Sequence, residues 1–328
     1  MEAYSHLLKE IGRGTHGSTS LSFSEAESLF GAMLDGGVPD MELGAILMAF
    51  RFKGESVDEL AGFLSALSSR INQLQWDHSE LRPVVLPSYN GARRQANLLP
   101  LLAMWLRNLG IPVLIHGTLG GNGRIASAYI LRELGIMPCA SIREAEERLV
   151  RDGIAFAPIS LLAPGLANLL MLRQRLGVRS SAHSLVKLID PFVNGGLRIV
   201  SVSHPAYLAT MHDLLGIMGA NALLLRATEG EAFANPKRRP AMTLFQNGES
   251  KLMFEAETGA IKELPNLPQS IDAATTAEWS RKVLAHEAAL PSPLANQLAC
   301  CLYGAGGAVD LAQAKAIVAV ETGTLLAA

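Results

Sequence analysis

VVLPSYNGARRQANLLPLLAMWLRNLGIPVLIHGTLGGNGRIASAYILRELG, residues 84–135, alternates short apolar runs with glycine-bearing loops and helical periodicity. Val84, Val85 and Leu86 form a strand-like run that Pro87 is expected to stop. Asn90-Gly91 then supplies a turn, because both residues tolerate positive φ. Leu98–Leu109 carries apolar residues at helical spacing and Gly110 follows as a stop. Ile111–Ile115 is a second buried run, with His116-Gly117 at its carboxyl end. Two strand–helix units in succession predict parallel strands with crossover helices, hence an α/β fold. Ligands of such sheets sit outside the carboxyl ends of the strands. The loops expected there are SYNGARRQAN (88–97) and HGTLGGNGR (116–124), which together hold three arginines and no acid.

Towards the N-terminus, residues 1–72 predict helices only. Ser24 and Glu27 have capping-box spacing ahead of Ala26, Leu29, Phe30 and Met33, and Gly36-Gly37 closes that segment. Asp40 can cap MELGAILMAFRF, a helix apolar on most sides and therefore expected to be buried. Arg51 and Lys53 fall in its last turn, where cations suit the helix dipole. Ser56 and Glu59 form a second capping box before Leu60, Phe63, Leu64 and Leu67. From Asn72 to Pro83 the pattern dissolves into a polar connection, a candidate domain boundary.

Towards the C-terminus, Ser141–Val150 reads as a charged, solvated helix and Ile154–Pro158 as a third strand. LANLLMLRQRLG is a helix that Gly177 ends, with Arg173 on the same face as Leu166, Leu169, Leu170 and Leu176. A cation on an apolar stripe either snorkels or reaches into a cleft for an anion. Arg175 points elsewhere. Ser180 or Ser181 opens a further helix through Lys187, stopped by Asp190-Pro191. Strands at Leu197–Val202 and Ala222–Leu225 lead to the loop ATEGEAFANPKRRPA, in which Lys237, Arg238 and Arg239 are consecutive. The chain finishes with helices at Leu294–Tyr303 and Leu311–Thr322.

In 328 residues, 49% are apolar and 18% charged, so a sizeable core is available and disorder is not expected. No apolar run is long enough to cross a bilayer and no secretory leader pattern opens the chain, so no membrane association is expected. Three cysteines, Cys139, Cys300 and Cys301, cannot all pair, and they show no metal-ligand spacing; the reading is a reduced, cytoplasmic protein. The net charge of −2 hides an asymmetry: residues 1–80 hold 5 Lys and Arg against 12 Asp and Glu, so the remainder is basic. Between Ile154 and Thr228, Arg173, Arg175, Arg179, Lys187, Arg198 and Arg226 face only Asp190 and Asp213 in sequence. Such a distribution suggests a basic surface on selected elements.

Gly121-x-Gly123-x-x-Ala126 matches a dinucleotide fingerprint only weakly, because Thr118–Gly120 separate it from the strand. The eight histidines show no paired ligand spacing and no nucleophile elbow surrounds Ser201 or Ser203. No catalytic residue, metal or cofactor is therefore expected.

GAILMAFRFKGESVDELAGF, VLIHG, LRQRLGVRSS and NQLACCLYGAGGAVDLAQA, in that order and spacing, resemble the anthranilate phosphoribosyltransferases. The resemblance implies a small helical domain over residues 1–78, joined in space by helices at about 165–189. It also implies a larger α/β domain over 79–328 with a central, mostly parallel sheet. In that family phosphoribosyl pyrophosphate and Mg²⁺ bind in the cleft. Here the motifs depart from the family. PSYNGARRQANLLP replaces the GTGGD phosphate loop, with Asn97 retained and Leu98, Leu99 and Pro100 in place of the following hydroxyl-bearing residues. In the second loop His116 and Gly117 remain, Ile115 and Leu119 replace two cations, and Arg124 stands where the family has lysine. The Mg²⁺-binding Asp-Glu pair falls at about Ala232-Phe233, with Glu229 and Glu231 near but displaced. Arg173 matches the family's substrate-carboxylate arginine.

PSYNGARRQANL, VRSSAHSLVKL, SVSHPAY, TEGE-x-x-ANP and QLACCL are similar to a bacterial branch of this fold described as homodimeric and binding nucleic acid without sequence preference. This second resemblance implies a nucleic-acid partner, DNA or RNA, held through its phosphates, and a homodimer paired through the helical domain. The alternative is a phosphoribosyltransferase or phosphorylase with altered substrate and metal contacts. The expected phosphate contacts are Arg93, Arg94, Arg173, Arg175, Arg179 and Lys187, then Lys237, Arg238 and Arg239, with Arg51 and Lys53 as additions. No aromatic residues interleave these bases, so stacking on single strands is not indicated.

Overall fold

The computed structural model describes residues 4–14, 17–78, 80–227, 229–259 and 265–326. The chain divides into two compact units, Met1–Asn72 with Ile159–Ile189, and Gln73–Pro158 with Asp190–Ala328. Among the described residues no helix is long and apolar enough to cross a membrane.

The first unit is helical. Its core pair, Phe23–Leu34 and Val57–Ser68, approaches closely at Gly62, where a Cβ would stand 2.4 Å from the Phe23 carbonyl oxygen. Phe63 stacks on Phe30 at 4.7 Å and meets the edge of Phe50 at 5.1 Å. The capping box of the helix Phe23–Leu34 lies two residues earlier than the sequence suggested. Ser22 is the cap, exchanging hydrogen bonds with Glu25, and Ser24 lies inside the helix. The Ser56–Glu59 box is present as expected. Pro39, not Asp40, precedes the helix Asp40–Lys53, and Asp40 sits in its first turn, where its charge suits the dipole. That helix is buried only along Ile46, Leu47 and Phe50, whereas Met41 and Phe52 are 80% and 70% exposed. Expected burial on most sides therefore does not hold within one chain.

The segment Ile159–Ile189 of this unit also differs from its sequence pattern. The expected single helix is broken at Leu172 into Pro164–Met171 and Arg173–Leu176, and Gly177 ends it at φ +72°. Arg173 therefore starts a new segment instead of continuing the leucine stripe. The following helix is short, Ala182–Leu185, which leaves Lys187 beyond its end.

The second unit is a seven-stranded sheet flanked by helices. Its strands are β1 (Val84–Ser88), β2 (Val113–Gly117), β3 (Ile154–Pro158), β4 (Leu197–Val202), β5 (Ala222–Arg226), β6 (Met242–Gln246) and β7 (Glu249–Phe254). They lie in the order β3-β2-β1-β4-β5-β6-β7. β1 to β5 are mutually parallel and β6 and β7 are antiparallel additions. β1 runs through Pro87 instead of stopping there. Backbone groups alternate sides along a strand; the Val84 N–H faces β2, so position 87 faces β4. Pairing with β4 is confined to Val84 and Val85, so the missing proline N–H breaks no ladder bond. The helices Leu99–Asn108 and Ser292–Gly304 pack one face of the sheet, and Cys300 and Cys301 are buried there as core residues.

Candidate functional site

The carboxyl ends of β1, β2 and β5 carry three loops that meet. The β1 and β2 loops are joined by a two-residue antiparallel bridge in which Ala92 and Ile125 exchange backbone hydrogen bonds of 3.0 and 2.8 Å. Two glycines permit this approach. Gly91 lies at φ +68° with Ile125 O and Arg124 Cβ only 3.0 Å from where its Cβ would be. A Cβ on Gly117 would stand 1.6 Å from Ser88 O.

The third loop, after β5, supplies two carboxylates to the first two, which hold no acid of their own. Glu231 is 1% exposed. Its Oε1 accepts the Asn90 and Gly91 backbone N–H groups at 2.9 and 2.8 Å. Its Oε2 accepts the Ser88 and Ser127 hydroxyls at 2.7 and 3.3 Å, with Asn97 Nδ2 at 3.5 Å. Glu229 holds the next turn: its Oε2 accepts the Arg93 and Arg94 backbone N–H groups at 2.7 and 3.2 Å. Its Oε1 lies 3.9 Å from Arg124 Nη1, and its backbone carbonyl accepts Asn90 Nδ2. Backbone N–H groups converging at the end of a strand with neighbouring hydroxyls form an anion cradle. Here the anion is the protein's own carboxylate, and the converging donors offset its desolvation.

These residues do not fit a Mg²⁺–pyrophosphate group. Ala232 and Phe233, about where the resemblance to the anthranilate phosphoribosyltransferases implies two metal-binding acids, are buried in the core. The adjoining backbone is fixed by Gln297, which donates to Ala232 O and accepts from Ala234 N. Among the described residues no three His, Cys, Asp or Glu side chains group as a metal site requires. His116, at the end of β2, is fully buried with neither ring nitrogen hydrogen-bonded among the described residues, and burial pushes its pKa down to about 3. It is a neutral imidazole.

The basic residues fall into separate groups. Arg93 and Arg94 are exposed on the β1 loop, and Glu229 engages these two residues through their backbone N–H groups. In the helical unit Arg173, Arg179 and Lys187 surround His183. Burial, then the charges of Arg173, Arg179 and Lys187, push its pKa down to about 3. Lys187 itself is lowered to about 8 by burial and by Arg179, with Glu55 opposing. Arg175 is exposed and pairs with the exposed Asp40 at 3.2 Å, an ion pair of little energetic weight. Arg51 is exposed at the end of its helix, whereas Lys53 is turned inward to Glu59 at 2.7 Å and Gly54 O at 2.9 Å. Lys53 thus belongs to the helix-end reading. Lys237 and Arg238 are exposed and Arg239 is half-buried, its Nε donating to Glu255 O and its guanidinium lying 5.5 Å from the Phe254 ring. Sequence reasoning placed Glu229 and Glu231 only as displaced acids and missed His183. The run TEGE held both acids, but nothing local ties them to Ser88 or Gly91.

Residues 5–70 match the helical bundle domain of a glycosyl transferase family. In structure the chain is similar to anthranilate phosphoribosyltransferase from Thermus thermophilus, with a TM-score of 0.74 at 21% identity, covering 98% of this chain and 94% of that one. The yeast enzyme from Saccharomyces cerevisiae, solved in complex with PRPP and Mg, gives a TM-score of 0.71 at 12% identity, with 98% and 94% covered. Anthranilate phosphoribosyltransferase from Pelotomaculum thermopropionicum is 26% identical over 65% of this chain and 60% of its own length. The fold is thus that of the anthranilate phosphoribosyltransferases, with the helical bundle of the glycosyl transferase family. Within that class, the chain belongs to the family of the uncharacterized protein YbiB of Escherichia coli K12, to which it is 40% identical over 96% of this chain and 98% of that one.

Proposed function

We propose that this chain is a non-catalytic member of its fold class that binds nucleic acid, DNA or RNA, through phosphates and without reading base sequence. One observation carries the reading: Glu231 fills the β1-loop cradle while Arg93 and Arg94, on the same loop, extend into solvent. A pyrophosphate would have to displace a carboxylate held by five donors. Backbone phosphates need only approach exposed guanidinium groups. The exposed Arg51, Arg175, Lys237 and Arg238 and the half-buried Arg173, Arg179, Lys187 and Arg239 extend the same chemistry. Lys53 is removed from the set by its ion pair with Glu59. The exposed Met41 and Phe52 support pairing of two copies through the helical unit. Three free, buried cysteines fit a reducing cytoplasm.

A salt titration on two unrelated duplexes and one RNA tests the reading. Affinity should fall log-linearly with salt and differ by only a few-fold between sequences. A flat salt dependence, or a thousandfold preference for one sequence, would overturn it. The retained Asn97, His116 and Arg173 favour the second reading, a phosphoribosyltransferase with altered contacts. Turnover of anthranilate with phosphoribosyl pyrophosphate and Mg²⁺ would establish that instead. Light scattering should report twice 35.0 kDa; a monomer at micromolar concentration removes the homodimer.

A further inference from the structure

On the β5 side of the sheet unit a groove of about 820 Å³ lies between the helix Pro205–Ile217 and the loop that carries the three consecutive bases. Its floor is apolar, with Leu224 on β5, Ala241 beside β6 and Ala256 after β7. Thr243 pairs with Leu224 across the β5–β6 ladder and adds a hydroxyl. Its walls are basic: Arg226, Arg238, Arg239 and His212 all line it, against the carboxylate of Glu257. Leu224 and Arg226 are two residues apart on one strand, so both face the groove, one on the floor and one at the mouth. The basic loop is anchored. Arg239 N donates to Glu257 Oε2, Glu257 N donates to Arg239 O, and Arg238 Nη2 donates to Gly259 O at 2.7 Å. Glu257, held by the Arg239 backbone, sets one negative charge against three guanidinium groups in the lining.

We propose that this groove is a binding site for one nucleoside monophosphate unit, its phosphate on Arg226 and Arg238 and its base and sugar over the Leu224 floor. Guanidinium groups select phosphate over a neutral ligand through paired N–H donors. The apolar floor and the volume require an organic body on the anion, since inorganic phosphate would leave the floor bare. The excess of arginine excludes a metal ion or a cationic ligand. The same chemistry has two sources, a free nucleotide or the 5′-phosphorylated end of a strand, and only the second rests on the nucleic-acid reading.

The test is calorimetric titration of the full chain at low salt with AMP, UMP, adenosine and inorganic phosphate. Two strands follow, an unphosphorylated 12-mer and the same 12-mer with a 5′-phosphate. The site predicts saturable binding of AMP and UMP at least tenfold tighter than of adenosine or phosphate alone. Arg226→Ala, at an exposed strand end, should weaken it about tenfold with an unchanged unfolding temperature. Arg238→Ala should act likewise, although it also loosens the loop. Arg93→Ala with Arg94→Ala should lower duplex affinity and leave AMP binding unchanged. An Arg226-dependent preference for the phosphorylated 12-mer assigns the site to strand ends; AMP binding without that preference assigns it to a free nucleotide, whatever the fate of duplex binding. If neither AMP, UMP nor the phosphorylated strand shows a contribution from Arg226, the proposal is overturned.

Discussion

Glu231 fills, from within the chain, a cradle of backbone N–H groups and hydroxyls. Removing it in Glu231→Ala would leave the Asn90 and Gly91 amides and two hydroxyls buried without their shared acceptor. At about 1–3 kcal/mol for each orphaned group, partly relieved by water, a loss of about 3 kcal/mol is expected. Inorganic phosphate or sulfate should then raise the unfolding temperature of the variant more than that of the wild type, because only the variant offers the vacated cradle. A variant indifferent to both anions would show that the donors are no cradle. His116 makes the opposite case, a buried polar ring that finds no hydrogen-bond partner among the described residues. Its folded pKa of about 3 lies below the unfolded value of about 6.5, so stability is complete above pH 6.5 and is lost as pH falls toward 3. At pH 5 the loss from this one group is about 2 kcal/mol. His116→Phe should escape that portion, as urea denaturation at pH 7.5 and pH 5 would measure. His116 was legible as a retained motif letter; its want of partners was not, because that depends on what packs around the end of β2.

At the scale of elements, sequence patterns located strands and helices well and erred where tertiary context overrides local preference. Pro87 is a strand stop by rule, yet β1 passes through it because the β4 ladder has already ended. Arg173 sits on a leucine stripe only if one helix runs unbroken to Gly177, and it breaks at Leu172. The β1 loop contained no acid, but the cradle's Glu231 lies 143 residues from Ser88. No local pattern spans such a separation. The segment from Arg173 to Lys187 carries its own pH dependence. With Lys187 lowered to about 8 by burial and Arg179, against the pull of Glu55, its charge is lost as pH rises through about 8. Nucleic-acid affinity should therefore weaken between pH 7 and 9 in the wild type. Lys187→Arg should abolish that dependence, as fluorescence anisotropy at constant ionic strength would show.

Over the whole molecule, the acidic bias of residues 1–80 and the basic bias of the rest were readable from composition. How each base is employed was not, since Lys53 is consumed by Glu59 while Arg51, two residues away, is exposed. The combined variant Arg175→Ala, Arg179→Ala, Lys187→Ala should weaken every duplex alike. It should also flatten the plot of log affinity against log salt by about one unit for each phosphate left without its cation. A sequence-selective loss would contradict binding through phosphates. Arg173 is left out of that set because it opens a helical segment, so its replacement requires a separate stability measurement.

The self-filled cradle also sets a direction on change. A lineage can drift into this arrangement one residue at a time, since each donor can turn from an outside anion to Glu231 without being left bare. Opening it to a Mg²⁺-bound anion demands several events together: the carboxylate must go and metal-binding acids must be added, for instance at positions 232 and 233. Those positions are now 0% and 3% exposed. Charges placed there singly would be buried without partners, at several kcal/mol each. Ala232→Asp with Phe233→Glu, even combined with Glu231→Ala, should therefore give an unstable chain whose unfolding temperature does not respond to Mg²⁺. Stepwise opening of the site would pass through destabilised intermediates, so the present cradle behaves as a ratchet.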